Sequence, residues 1–316
     1  MLVLAALGVN GTALLQQLVD GIAVGAIYAL VALGYTLVYG IIELINFAHG
    51  DVFAWGAVAT AFVLELMGFN NFSASLSGLS LIGVMALLLV VGMAFCGGLN
   101  FVIERVAYRP LRRAPRLAPL IAAIGVSFIL ETVIQLTRGG GFIEYPTLFP
   151  AGGIHLGGVI IKYLDIFILA LAIVLMYLLN RLIQKTKIGR GMRATAQDPE
   201  AASLMGVNIN RTISFTFIVG GALAGAGSVM YGLALSGVKY NTGFEAGLIA
   251  FAAAVLGGIG NIYGAVLGGL LIGIIQSYTV LAMGAQWSDV TAFAVLVLIF
   301  VFRPSGLLGQ QVPDKV

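Results

Sequence analysis

Apolar runs of roughly twenty residues, the length that crosses the hydrocarbon of a bilayer, recur near residues 14–39, 51–68, 79–103, 118–137, 162–182, 212–235 and 286–302. A further run from about 244 to 283 is long enough for two crossings and is broken by glycine in its middle. The pattern predicts an all-α polytopic transmembrane bundle of about eight or nine spans, some of them broken or re-entrant. Against it stands one long polar passage, Gly189 to Arg211. There Asp198 suits an N-cap, Pro199 the first helical position, Glu200 the first turn and Gly206 a left-handed C-cap. Residues 198–206 therefore predict a short helix outside the bilayer. Ala201, Leu204 and Met205 fall at i, i+3 and i+4, which gives that helix a small apolar face with no core of its own. Such a face fits a partner's groove, or rests on lipid headgroups.

Two interruptions carry the remaining candidate chemistry. The run from Gly40 to Asp51 places Glu43, Asn46, His49 and Asp51 inside an apolar region. Ionisable groups and non-helical backbone at membrane depth are tolerated only where they face protein or a wet cavity. The four residues are thus either the wall or gate of a solute pathway, or a turn whose side chains cap the next helix. The second interruption is Gly257, Gly258, Gly260 and Asn261, followed by Gly264, Gly268, Gly269 and Gly273. Small residues spaced by four let another helix approach closely. The pair Gly257–Gly258 is also placed to break a helix at mid-membrane and aim an amide end at a substrate carboxylate. Gly220, Gly221, Gly225 and Gly227 make a similar face, and together these suggest a tight bundle or a dimer seam. Among the carboxylates Asp20, Glu65, Glu131, Asp165, Glu245 and Asp289, Glu131 with Gln135 is the candidate interior pair. Tyr28, Tyr35, Tyr39, Trp55 and Tyr231 either line a pathway or pack.

Charge sets the topology. Residues 1–104 hold no Lys or Arg; then Arg105, Arg109, Arg112, Arg113 and Arg116 come together, and later Arg181, Lys185, Lys187, Arg190 and Arg193. The positive-inside rule makes loops 104–117 and 184–211 cytoplasmic. Residues 138–161 then lie outside, the N-terminus is periplasmic, and the tail with Arg303–Pro304 is cytoplasmic. The 316 residues form a single transmembrane domain, 60% hydrophobic and 9% charged, where a soluble chain carries roughly a quarter charged residues. Mean hydropathy is +1.06. The basic balance follows from topology, so nucleic acid is not an expected partner. No basic region precedes the first apolar run, so the start is not expected to be a cleaved signal peptide. The sequons at Asn10 and Asn71 are short enough to arise by chance.

Catalytic signatures are missing from the sequence. It has no Gly-x-x-x-x-Gly-Lys-Ser/Thr, no Gly-x-Ser-x-Gly, no His-Glu-x-x-His and no Cys-x-x-Cys, and Cys96 is its one cysteine. No metal or cofactor is expected in this chain, and it is not expected to be an enzyme.

Three segments carry a resemblance: Tyr28 to Asp51, Ile103-Glu-Arg-Val-Ala-Tyr-Arg-Pro110, and Ala253 to Gly269. They resemble the permease subunits of bacterial branched-chain amino acid ABC importers, and the likeness runs from about residue 14 to Gly309. The chain departs from that pattern at Asn261-Ile-Tyr263, where a small residue followed by proline is expected. The resemblance implies an inner-membrane importer with a second, related permease as heterodimer partner, two cytoplasmic ATPases that hold ATP and Mg, and a periplasmic solute-binding protein. It implies that 198–206 is the coupling helix seated in an ATPase groove, with Arg193 beside it. Leucine, isoleucine and valine are the implied solutes, with urea or short-chain amides as the alternative within the family. A stand-alone secondary transporter or channel is the alternative outside it.

Overall fold

The structure is a computed structural model and describes residues 10–69, 76–112, 114–115, 117–303 and 305–309. Arg113, Arg116, Pro304 and the Asn71 sequon lie outside the described residues. The helices, in order, are α1 (Gly11–Ile42), α2 (Ala48–Leu66), α3 (Gly78–Ile103), α4 (Leu117–Arg138), α5 (Tyr163–Lys185), α6 (Lys187–Gln197) and α7 (Pro199–Leu204). After them come α8 (Ile209–Leu235), α9 (Thr242–Gly257), α10 (Ile262–Met283) and α11 (Ser288–Phe302). A π-helical turn, Glu104–Tyr108, and a last turn, Arg109–Leu111, extend α3. Four short strands, β1 (Ile143–Glu144), β2 (Gly153–Leu156), β3 (Val159–Lys162) and β4 (Gly237–Val238), form the antiparallel pairs β1–β4 and β2–β3.

Seven described helices are long and apolar enough to cross a membrane: α1, α3 with its extension, α4, α5, α8, α10 and α11 with the turn before it. The expected eight or nine spans also counted α2 and α9, and the structure shows what sets these two apart. Both begin inside the bundle. His49, in the first turn of α2, lies against Gly34 of α1, which also meets the Gly220 carbonyl of α8. Gly34 is about 12 Å inside the end of α1, given the 1.5 Å rise per residue. The start of α9 meets the start of α2, with Gly243 against Asp51 and Gly247 against Gly50. α2 then runs toward the strand-bearing end of the molecule and α9 toward the end that holds the arginine-rich loops.

Glycine sets the spacing of the core. On α10, Gly264 and Gly268 press on α9 at Gly257 and Ala253, while Gly269 and Gly273 press on α1 at Ala29 and Gly25. On α8, Gly221 and Gly225 meet Cys96 and Gly92 of α3, and Gly220 and Gly227 meet Gly34 and Val31 of α1. Every one of these small-residue faces is filled within the chain, so they are not the dimer seam that the sequence suggested. α1 is buried over most of its length, whereas α4, α5 and α11 expose most of theirs, as lipid-facing helices do. The expected interior pair of Glu131 with Gln135 is not formed, since Glu131 is half-buried and Gln135 is exposed. Ile134 is the buried residue of that turn and Gln135 faces outward, because the inward stripe of α4 runs Ala123, Ser127, Ile134.

A branched side chain at the α1–α10 contact has nowhere to go. Gly273→Leu is expected to cost about 1–3 kcal/mol, read as a lower melting temperature of the detergent-solubilised protein. Gly83→Leu, where a Cβ meets open space, is expected not to lower it.

Candidate functional site

Three features at one end of the bundle gather most of the residues singled out in the sequence. The first is the polar arm between α5 and α8, which is two helices and not one. Thr186 caps α6, accepting from the Gly189 N–H at 3.0 Å. Asp198 ends α6 and caps α7, its Oδ1 accepting from the N–H groups of Glu200 at 2.9 Å and Ala201 at 3.0 Å. Pro199 fills the first helical position, where its missing N–H costs nothing. At the other end Gly206 adopts φ 85°, and the Val207 N–H returns to the Ala202 carbonyl at 3.0 Å, a Schellman closure. Six residues would not hold a helix in water; these caps and the burial of Ala202 hold this one. Leu204 and Met205 are then 89% and 85% exposed, with Ala201 and Glu200 also exposed. Arg193 is tied to the helix before the arm. Its guanidinium donates to the Ile183 carbonyl near the end of α5 and braces α6 against that helix. α6 went unread in the sequence because Gly189 and Gly191 are poor helix formers.

The second feature is the break between α1 and α2. Glu43 is exposed and left-handed at φ 52°, closing the end of α1 through its N–H to the Tyr39 carbonyl. Asn46 is buried, its Nδ2 donating to Asn100 Oδ1 at 3.3 Å and its Oδ1 accepting from the Tyr108 hydroxyl at 3.0 Å. Neither Asn46 nor another side chain caps α2, so the capping reading of this stretch is overturned. His49 and Asp51 are both 0% exposed. The His49 ring packs edge-on to Tyr35 with centroids 4.7 Å apart, and neither of its nitrogens has a hydrogen-bond partner. Asp51 Oδ2 accepts from the Ser127 hydroxyl, and Oδ1 has no partner. Buried polar atoms in that condition are rare in a resting fold. Asn100 and Ser127 were missed in the sequence, although each is a polar letter inside an apolar run, which is itself a signal.

The third feature is the α9–α10 turn. Gly258 and Gly260 hold φ 102° and 93°. Asn261 caps α10, its Oδ1 accepting from the Gly264 N–H at 3.1 Å, while its Nδ2 donates to the Leu308 carbonyl at 2.9 Å. That second bond shows what the departure from the family pattern does: asparagine both starts the helix and ties down the tail. Leu307 and Leu308 donate their N–H groups to the carbonyls of Leu256 and Gly257 at 2.8 and 2.9 Å. The turn therefore lies at the helix ends, beside Gly40, and not at mid-membrane. The amide end of α10 is occupied by Asn261 and the tail, so it does not point into the bundle. The interior helix starts are those of α2 and α9.

A family model described as a branched-chain amino acid transport system permease component matches residues 17–300. The chain is 42% identical over 309 residues to the high-affinity branched-chain amino acid transport system permease protein BraD of Pseudomonas aeruginosa, covering 96% of this chain and 98% of that one. It is 37% identical over 312 residues to the LivH permease protein of Escherichia coli K12, covering 96% and 97%. A more distant likeness, 29% over 293 residues, covers 87% of this chain and 72% of an autoinducer 2 import system permease protein, LsrC, of Yersinia enterocolitica. No solved structure matches the chain.

Replacing Asn261 by Ala removes a helix cap and a tail anchor together. The expected cost is about 1 kcal/mol, with faster amide hydrogen exchange at Leu307 and Leu308 while the Gly189 amide is unchanged.

Proposed function

The chain belongs to the family of branched-chain amino acid transport permease components, and we propose that it forms half of the membrane channel of an ATP-driven importer for leucine, isoleucine and valine. A second, related permease completes the channel, two cytoplasmic ATPases carry the ATP and Mg, and a periplasmic binding protein delivers the solute. The end that holds Arg105, Arg109, Arg112, Arg190 and Arg193 faces the cytoplasm by the positive-inside rule, and the strand-bearing end faces the periplasm. On that orientation the N-terminus is periplasmic and the C-terminus cytoplasmic.

The observation that carries this reading is the exposure of Leu204 and Met205 on a helix that is rigidly capped and projects from the bundle. Two large apolar side chains fixed in water by this much local order support a partner groove more than a passive loop. We read α7 as the coupling helix, with Asp198, Pro199, Glu200, Ala201 and Gly206 shaping and orienting it and Arg193 bracing the arm behind it. ATP-driven closure of the ATPases would draw the arm with it and reorient the bundle by alternating access. The moving parts on the solute side are the interior starts of α2 and α9, where His49 and Asp51 hold unpartnered atoms and bare backbone at Gly50, Gly243 and Gly247 lets the two helices slide. Glu43, Asn46, Gly257, Gly258, Gly260 and Asn261 form the cytoplasmic hinges of that gate. Specificity rests mainly on the binding protein.

Uptake of labelled leucine into vesicles that hold this chain with the ATPases and binding protein tests the assignment. ATP and all partners are expected to be required, and Leu204→Asp and Glu200→Arg are expected to abolish uptake while the protein still inserts. Transport by this chain alone against a proton gradient, with both variants silent, would establish a stand-alone transporter instead.

A further inference from the structure

The polar contacts of the α1–α2 break continue past it in two hydrogen-bonded groups on successive turns of α3 and α8, the second of them beside the coupling arm. Counting from the arm, Asn208 caps α8 by accepting from the Arg211 N–H at 3.0 Å. Asn210 accepts from Arg112 Nη1 at 2.8 Å. Ser214, one turn on, accepts from Arg109 Nη2 at 3.2 Å and donates to Glu104 Oε2 at 2.7 Å. Glu104 is fully buried and pairs with both Arg112 and Arg109. At the next turn the Phe217 carbonyl accepts from Asn100 Nδ2 at 2.7 Å. Asn100 Oδ1 then takes the bond from Asn46, and the Tyr108 hydroxyl, bonded to Asn46 Oδ1, lies 3.3 Å from the Ile45 carbonyl.

The backbone is shaped for this. Asn100, Glu104 and Tyr108 recur every four residues, a spacing that drifts around a helix of 3.6 residues per turn. The π-helical turn over Glu104–Tyr108 is wider and offsets the drift, so all three side chains stay on the face that meets α8 and the break. Within the π-turn Arg105 and Val106 are exposed, while Glu104 and Tyr108 are buried, the latter with its ring against Phe217. What the turn achieves is alignment of the polar face.

We propose that Asn46, Asn100, Glu104 and Tyr108 are positioning residues for transport, which fix the α1–α2 break to the first turns of α8 so that displacement of the α6–α7 arm carries the gate with it. The inference rests on α7 being the coupling helix. A merely structural role, in which these groups only satisfy one another in a dry interior, gives a different experimental pattern. It lowers the amount of folded protein, and uptake and ATP hydrolysis fall together.

The test uses the complete importer in proteoliposomes with leucine-loaded binding protein, measuring labelled leucine uptake and phosphate release in the same sample. Tyr108→Phe removes one hydroxyl and keeps the ring against Phe217, 5.3 Å between centroids, so it leaves the fold in place; Glu104→Gln weakens the group nearer the arm. Each is expected to keep ATP hydrolysis within about twofold of wild type while uptake per ATP falls about tenfold. The double variant is expected to be no worse than the worse single one, because both substitutions loosen the same link between the α1–α2 break and α8. An unchanged uptake-to-ATP ratio in Tyr108→Phe, a parallel fall of both activities, or effects that multiply in the double variant would each overturn the proposal. Leu204→Asp, run alongside, separates the two levels. If it abolishes uptake while Tyr108→Phe leaves the ratio intact, the relay fails and the coupling helix stands; if it is silent, the coupling helix itself fails.

Discussion

A backbone broken inside an apolar bundle leaves amide and carbonyl groups that lipid cannot satisfy, and the chain must supply their partners itself. That constraint governs this protein, because α2 and α9 both start in the interior and two turns lie against the helix ends. Tyr108 answers it at the first break, its hydroxyl lying 3.3 Å from the Ile45 carbonyl, with Asn46 holding that hydroxyl in place; at the end of the bundle Asn261 caps α10 and bonds the tail. Glycine answers the geometric half of the same problem. Only bare backbone lets α1, α8, α9 and α10 close around the interrupted helices, which is why Gly34, Gly220, Gly268 and Gly273 occur where the helices nearly touch.

Much of this was legible in the sequence, and the limits have physical causes. The long spans were readable because hydrocarbon thickness fixes their length. α7 was readable because Asp198, Pro199 and Gly206 act on neighbours within a turn. The interior starts of α2 and α9 were less so, since short apolar runs do not say at what depth they begin. Hidden altogether were the α8 partners of Asn100 and Glu104. Ser214 and Phe217 lie more than a hundred residues away along the chain, and no local pattern connects them. Gln135 misled for the converse reason: a polar residue in a span looks inward until the helix rotation is known, and here Ile134 takes the inward place.

The two ends of the molecule divide the work of transport. One end carries most of the cationic charge, the exposed apolar helix and the tail strap; the other carries the small antiparallel strands and the Glu65–Arg138 and Asp20–Lys162 pairs. Between them lies a core whose buried polar residues include one group closely bonded around Asn46 and Glu104 and one at His49 and Asp51 with atoms that lack hydrogen-bond partners. A rigid group beside an unsatisfied one suits a molecule that must hold one conformation and still leave it. The family's transport cycle asks for both properties.

The strap at Leu307 and Leu308 also orders events in time. Its bonds to Leu256 and Gly257 close a turn made well before the strap itself leaves the ribosome. At about 5–20 residues per second, several seconds of synthesis separate the two. During that interval α9 and α10 sit in the membrane with their junction unsealed and two carbonyls unpaired. Leu307 and Leu308 thus act as a late fastening in biogenesis, sealing a junction whose two helices are already in place.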